Sequence, residues 1–165
     1  MTIKGISHIH ICVANVERSL EFYRDILGLT VKVHTQQMLN RPGAESLGMY
    51  SRLRTSRTVA DIYFDGADSP QPVLVLTSHP DQVDGNAIKF DEKGITNIAL
   101  QVENVESYAR MLTERGVTSA GKISDFRNPT GHMRTIFVYD PDGNLVQFRE
   151  GFNRDKYDDY DEPPK

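Results

Sequence analysis

Sliding the chain along itself by 89 positions sets His8–Glu17 on Asn97–Glu106. Ile9 falls on Ile98, Val13 on Val102, and Asn15-Val16-Glu17 on Asn104-Val105-Glu106. In both copies an alternating stretch predicts a short strand, and the Asn predicts an N-cap, because its side chain can accept from an early helical amide. The apolar residues that follow in the first copy, Val16, Leu20, Tyr23 and Leu27, recur at helical spacing, and Gly28 closes that helix as Gly116 closes the second. A three-residue match arises easily by chance. The same match at the same strand-to-helix junction, twice, marks a duplicated unit.

After each helix the sequence turns to strand chemistry. In the first half the predicted strands are Leu29–Gln37, Thr58–Asp65 and Val73–Ser78, the last two separated by the Gly66-Ala67-Asp68-Ser69-Pro70 turn. In the second half they are Ser119–Asp125, Met133–Tyr139 and Asn144–Arg149, with Asp140-Pro141-Asp142-Gly143 as the turn before the last. Each half therefore reads β-α-β-β-β, over residues 5–80 and 94–150, joined by a linker and making one domain, 1–150. The expected fold class is α+β: two such modules forming an open, cup-shaped mixed sheet with the helices outside. Two segments break the repeat. Residues 38–57 form an insertion carrying Arg41, Arg52, Arg54 and Arg57, and 153–165 form an acidic Asp/Tyr tail expected to be disordered.

Alternation on the first strand places His8, His10 and Cys12 on one face and Ile9, Ile11 and Val13 on the other. The apolar set suits a helix; the His-x-His-x-Cys set is left facing a binding cavity. A net charge of −4 and the lack of a basic face argue against nucleic acid as a partner. No apolar run approaches membrane-spanning length and no signal peptide is evident, so no membrane is expected. The single cysteine, Cys12, precludes an intrachain disulfide and suits a reducing, cytoplasmic setting. A cavity of this kind takes a small molecule.

The opening His-Ile-His-Ile-x-Val-x-Asn-Val-Glu-x-Ser-Leu-x-Phe-Tyr-x-x-x-Leu-Gly, the paired modules and the Asp140-Pro141-Asp142-Gly143-Asn144 turn resemble the vicinal oxygen chelate superfamily. That group contains glyoxalase I, methylmalonyl-CoA epimerase, fosfomycin-resistance enzymes, extradiol dioxygenases and bleomycin-resistance proteins. The resemblance covers residues 5–150 and implies a glyoxalase-like fold, commonly paired as a homodimer. It carries no single function with it, because the same cup hosts unrelated chemistries. In the metal-dependent members a divalent ion is held from four equivalent strand positions. Here the resemblance places them at His8, Val75, Asn97 and Gln147, and only His8 matches a family ligand.

Imidazole and two amides are poor company for a divalent ion, which needs three or four donors and usually an anionic one. Gln147 cannot act as a base either. The reading is therefore an enzyme without the usual metal, catalysing an isomerase-, lyase- or cyclase-type step, with His8 or His10 as acid/base. Asn97, Gln101, Gln147 and Arg149 would orient the substrate, Tyr63 and Phe137 would line the cavity, and Arg52 and Arg54 of the insertion would clamp a carboxylate or phosphate from a lid. For each, a satisfied core or solvated position is the plainer alternative, and Cys12 reads as an inert buried thiol. Two other functions stay open. One is a metal-free, drug- or metabolite-sequestering protein like the bleomycin-resistance proteins. The other is an isomerase or dioxygenase using Zn, Ni, Mn or Fe, in which His8 and His10 recruit Asp61, Glu150 or a donor from a partner chain as the third ligand. Tyr157 and Tyr160 of the tail could fold over a partner's cup.

Overall fold

The computed structural model describes residues 2–39, 50–51, 54–67, 71–82, 85–128 and 131–151, the side chains of 126–128 and 131–132 excepted. Arg41 and Arg52 of the insertion and Tyr157 and Tyr160 of the tail lie outside the described residues. The chain divides into two compact units, Met1–Asn86 and Ala87–Lys165.

The first unit runs β1 (His8–Cys12), α1 (Val16–Leu20) continued by a π-helical stretch (Glu21–Ile26), β2 (Thr30–Met38), β3 (Ser56–Tyr63) and β4 (Val73–Ser78). Its sheet is ordered β1-β4-β3-β2, with β1 parallel to β4 and the remaining pairs antiparallel. The second unit repeats the plan with β5 (Asn97–Gln101), α2 (Val105–Glu114), β6 (Ser124–Asn128), β7 (Gly131–Tyr139) and β8 (Leu145–Glu150), ordered β5-β8-β7-β6. The duplicated α+β architecture expected from the sequence is thus the one observed.

Local chemistry explains the repetition. Asn15 Oδ1 accepts from the Arg18 amide at 3.0 Å, and Asn104 Oδ1 from the Ser107 amide at 2.8 Å, so both helices begin on the same cap. Gly28 and Gly116 both take φ +75°, the left-handed conformation that ends a helix and that a side chain disfavours. Behind each sheet the helix buries an apolar face: Val16, Leu20 and Tyr23 with Ile62, Leu74 and Leu76 in the first unit, Val105 and Leu112 with Val146 and Phe148 in the second. Each such fully buried side chain contributes about 1.5–3 kcal/mol.

Three expectations shift. The first helix widens to π geometry after Leu20, closing Leu27 N–H on the Phe22 carbonyl at 3.0 Å. That widening buries Phe22 and Tyr23 together, edge to face at 5.0 Å. The strand expected over Ser119–Asp125 begins only at Ser124: the Ser119 hydroxyl turns onto Gly121, and Ser119 keeps no more than a bridge to Val138. The insertion is shorter than it reads, because the β2–β3 ladder continues to Met38–Ser56 and on to Leu39 N–H with the Thr55 carbonyl.

Candidate functional site

The face of each sheet turned away from its own helix, its front face, carries the candidate residues. On the first sheet the register aligns His8, His10 and Cys12 of β1 with Val73, Val75 and Thr77 of β4, and Val75 and Thr77 with Asp61 and Val59 of β3. Gln37 of β2 lies opposite Arg57 of β3. His79 continues the β4 phase one residue beyond the strand, opposite Arg57.

His10 and Thr77 form the centre of this face. His10 Nε2 lies 2.7 Å from Thr77 Oγ1, and Thr77 is fully buried. Burial, and after it the charges of Arg57, His8 and His79, hold the His10 imidazole below its ordinary pKa. It is therefore neutral at pH 7. With Nε2 engaged by Thr77, Nδ1 is the ring atom left for a ligand.

His79 is a third imidazole on this face, after His8 and His10, and the sequence reading missed it. Its Nδ1 faces the Ser56 carbonyl at 3.3 Å. A carbonyl can only accept, so Nδ1 carries the proton and Nε2 presents a lone pair. Burial lowers its pKa first; the Ser56 carbonyl opposes that, and Arg54 and Arg57 add to it. Tyr50 meets the ring edge to face at 5.5 Å. Beside it, Arg57 Nε and Nη2 both donate to Gln37 Oε1, at 3.0 and 2.9 Å, which fixes the guanidinium against the sheet. The signal that could have found His79 is its parity with Val73, Val75 and Thr77. Arg57 needed only to be read as the first front-face residue of β3 and not as part of the insertion.

The other first-unit candidates are placed as follows. His8 is exposed, with Nδ1 3.0 Å from the Ser7 hydroxyl. Cys12 is exposed and not buried as expected, because β1 is the edge strand of its sheet. Tyr63 lies on the front face with the Lys32 ammonium 4.6 Å from its ring centre, and Lys32 also pairs with Asp65 at 2.8 Å. Arg54 has a different task from the ligand clamp expected of it. It is 7 % exposed, and its Nη1 donates to the carbonyls of Pro80 and Asp81 at 2.6 and 2.7 Å, tying down the turn after β4.

The second sheet's front face is a closed chain of amides. Asn97 Nδ2 donates to Gln147 Oε1 at 3.1 Å, Gln147 Nε2 to Thr135 Oγ1 at 2.9 Å, and the Thr135 hydroxyl to the Phe148 carbonyl at 2.9 Å. Asn97 Oδ1 in turn accepts from Thr96 at 3.3 Å. Gln101 and Arg149 are adjacent at the far end of the β5–β8 ladder. Phe137 lies beside Gln147 and meets Phe90 edge to face at 5.6 Å, so residues just before β5 bear on this face.

The four positions that the resemblance implies for a divalent ion can now be tested. His8 offers an imidazole, Val75 offers nothing, and the amide oxygens of Asn97 and Gln147 are each taken by a hydrogen bond. Among the described residues, no group of three or more His, Cys, Asp or Glu is placed to hold a metal ion. The present residues do not fit a divalent ion at those positions. Glu150, a reserve ligand in the sequence reading, faces the helix. Its Oε2 accepts from the Val105 amide at 2.5 Å and its Oε1 meets Arg134 Nη1 at 3.4 Å, while Arg134 also pairs with Glu106. The carboxylate is a cap for α2, where the helix dipole favours it. Asp61 lies in the same row as His10, two strand spacings away, about 10 Å.

Comparison with known proteins agrees with this fold. The Enterococcus faecalis glyoxalase family protein superposes with a TM-score of 0.64 at 22 % identity, covering 91 % of this chain and all of that one. A Bacillus cereus glyoxalase family protein gives 0.72 at 14 % identity, covering 93 % and 97 %. A variant of the fosfomycin resistance protein FosX from Listeria monocytogenes, solved with Mn(II) and 1S,2S-dihydroxypropylphosphonic acid, gives 0.61 at 17 %, covering 97 % and all of that chain. At these identities the likeness is one of fold. A sequence match to the metallothiol transferase FosB of Staphylococcus haemolyticus is 53 % identical over 34 residues, which are 21 % of this chain and 24 % of that protein. The match thus spans about a quarter of the relative's length. A family model matches residues 5–148, and by that match the chain belongs to the Glyoxalase/Bleomycin resistance protein/Dioxygenase superfamily.

Proposed function

We propose that the protein is an enzyme acting on a small organic molecule by acid–base catalysis, with His10 as the proton-transferring group. The observation that carries this reading is the His10–Thr77 pair: an imidazole kept neutral by burial, its Nε2 2.7 Å from a buried hydroxyl, which leaves Nδ1 as the ring nitrogen for a ligand. In the tautomer whose Nε2–H donates to Thr77, Nδ1 holds a lone pair and can take a proton from a carbon next to a carbonyl. The electron pair of the broken C–H bond passes to the carbonyl oxygen, giving an enolate; the imidazolium then returns the proton to carbon in an isomerisation, or, in an elimination, gives it to the β-substituent that the collapsing enolate expels. His8 serves as an exposed neighbour of the base; in the second unit Asn97, Gln101, Gln147 and Arg149 serve as the polar orienting groups of that sheet's own front face. The protein works in the cytoplasm as a homodimer.

The test is proton exchange in D2O, followed by proton NMR on a panel of small oxo compounds: pyruvate, 2-oxobutyrate, hydroxyacetone and butanone. Loss of the signals next to the carbonyl, faster than in buffer and abolished in His10→Asn, supports the reading. Saturable binding without exchange overturns it in favour of sequestration, a reading favoured by the closed amide chain of the second sheet, which holds no acid or base. A divalent-metal enzyme with rearranged ligands is the further reading, favoured by the Mn(II)-bound neighbour FosX. Stoichiometric metal by elemental analysis of untagged protein, with exchange lost in chelator, would replace the metal-free reading.

A further inference from the structure

The chain as a whole is acidic, yet one corner of the first sheet is not. Around His10 the charged groups that act on it are Arg57, His8 and His79; the carboxylate of this face, Asp61, lies in the same row about 10 Å away, four residues along β3 from Arg57. Arg57 makes its two hydrogen bonds to the neutral Gln37 oxygen and has no ion pair among the described residues. This is unusual economy: elsewhere Arg24, Lys32 and Arg134 each hold a carboxylate. Gln37 accepts through one oxygen from Nε and Nη2 along one edge of the guanidinium, so the fork is held in place, and among the described residues Nη1 makes no hydrogen bond. A held, half-buried guanidinium with no counter-ion among the described residues, next to the His79 imidazole and close enough for its charge to act on His10, has the composition of an oxyanion receptor.

We propose that the front face of the first sheet binds the anionic group of the ligand, a carboxylate, phosphonate or phosphate, through Arg57, with Gln37 as its positioning residue and His79 beside it. The inference deepens the acid–base reading and rests on it for the identity of the site. It names the substrate class as a small anion whose reacting carbon is held within reach of His10. Neutral compounds of the same size lack the group that Arg57 recognises. Arg54 has no part in this, since its guanidinium is taken by backbone carbonyls.

The experiment titrates the full-length protein with inorganic phosphate and with methylphosphonate, reading the imidazole signals of His10 and His79 by NMR at constant ionic strength. Saturable shifts of both imidazoles are expected, absent with dimethyl sulfoxide. Arg57→Met should weaken binding roughly tenfold or more, the size of one lost charge-assisted contact. Gln37→Leu, which keeps the charge and loses the positioning, should weaken it several-fold, and Arg57→Lys should fall between wild type and Arg57→Met. Thermal melts of the three variants identify any that fails to fold, and Arg57→Lys and Gln37→Leu keep the test decisive if Arg57→Met does. Phosphate that shifts neither imidazole, or binds Arg57→Met as tightly as wild type, overturns the proposal; shifts spread evenly over the surface and abolished by added chloride mark an adventitious ion only, and do the same. His10→Asn separates the two readings. If it keeps phosphate binding and loses exchange, both stand; if hydroxyacetone exchanges as fast as pyruvate, the anion proposal alone falls.

Discussion

The two units share one backbone plan and differ in what they place on it. Both sheets follow the same strand order, both helices start on an asparagine cap and both end on a left-handed glycine. Yet the front face of the first unit holds the imidazoles of His8, His10 and His79 and a guanidinium with no ion pair among the described residues, while that of the second holds amides bonded to one another and aromatic rings. The reason is the division of labour between faces. Back-face residues such as Leu76 and Phe148 set the register by burial, and a one-residue slip would expose them all. Apart from Val59, Thr77 and Thr135, the front-face residues described are less buried and carry less of that constraint, so a duplicated unit can diverge there without losing its fold.

If the difference is functional, substitutions should separate the two faces most in turnover. His10→Asn is expected to lower proton exchange by roughly a hundred- to ten-thousandfold. Asn97→Ala, in the position that the repeat makes equivalent to His8, should change it by less than about tenfold, the cost of one orienting hydrogen bond. NMR exchange rates on the same substrate decide it, and equal losses from both faces would break the comparison.

Stability gives the next contrast, this time between the helix starts. Glu150 accepts from the Val105 amide and from Arg134, and is largely sheltered. Glu150→Ala leaves a charged donor and a helix N–H without it, and should cost about 2 kcal/mol in urea unfolding. The acidic contact in the first turn of α1, Glu17 with His34 at 3.0 Å, is exposed on the Glu17 side. Glu17→Ala should cost less than about 0.5 kcal/mol. Below these, Asn15→Ala and Asn104→Ala should each cost about 1 kcal/mol and agree with each other, because the two caps have the same geometry. A large disagreement would show that the π-helical continuation of α1 has changed how its first turn is loaded.

Much of this was legible from residues alone, for definable reasons. The caps, the closing glycines and the β1 alternation are local chemistry, and they appear where the sequence puts them. The Val73–Ser78 strand matches to the residue. What failed to show were effects that need a neighbour from elsewhere in the chain. Arg54 and Glu150 have the side chains of a clamp and a ligand; only the fold brings Arg54 to the carbonyls after β4 and Glu150 to the start of α2. His79 was passed over because it stands after the strand's last apolar residue, although its parity already assigned it to the face of His10. The mutual satisfaction of Asn97 and Gln147 could not be read from a pair 50 residues apart.

The smallest expected effect bears on the anion proposal as well as on the contrast. In the folded protein, burial and the charges of Arg54 and Arg57 hold His79 below its ordinary value of 6.5, with Tyr50 against the ring and the Ser56 carbonyl pulling the other way. The unfolded chain releases that histidine to the ordinary value, so below about pH 6.5 the unfolded state binds more protons. The stability contributed by neutral His79 is therefore present above that pH and is lost as pH falls through the window down to the folded pKa. His10 acts with the same sign. In urea titrations between pH 7.5 and 5, His79→Asn should flatten the fall in stability, whereas Gln147→Leu on the other unit should leave its slope unchanged. Phosphate supplies the sharper form of the same measurement. An anion seated on Arg57 offsets the share of the His79 shift that Arg57 adds to burial, so saturating phosphate should shallow the wild-type slope slightly in this window and leave that of Arg57→Met as it was. A phosphate effect of equal size in both proteins would mean that the anion stabilises the chain from somewhere other than this face.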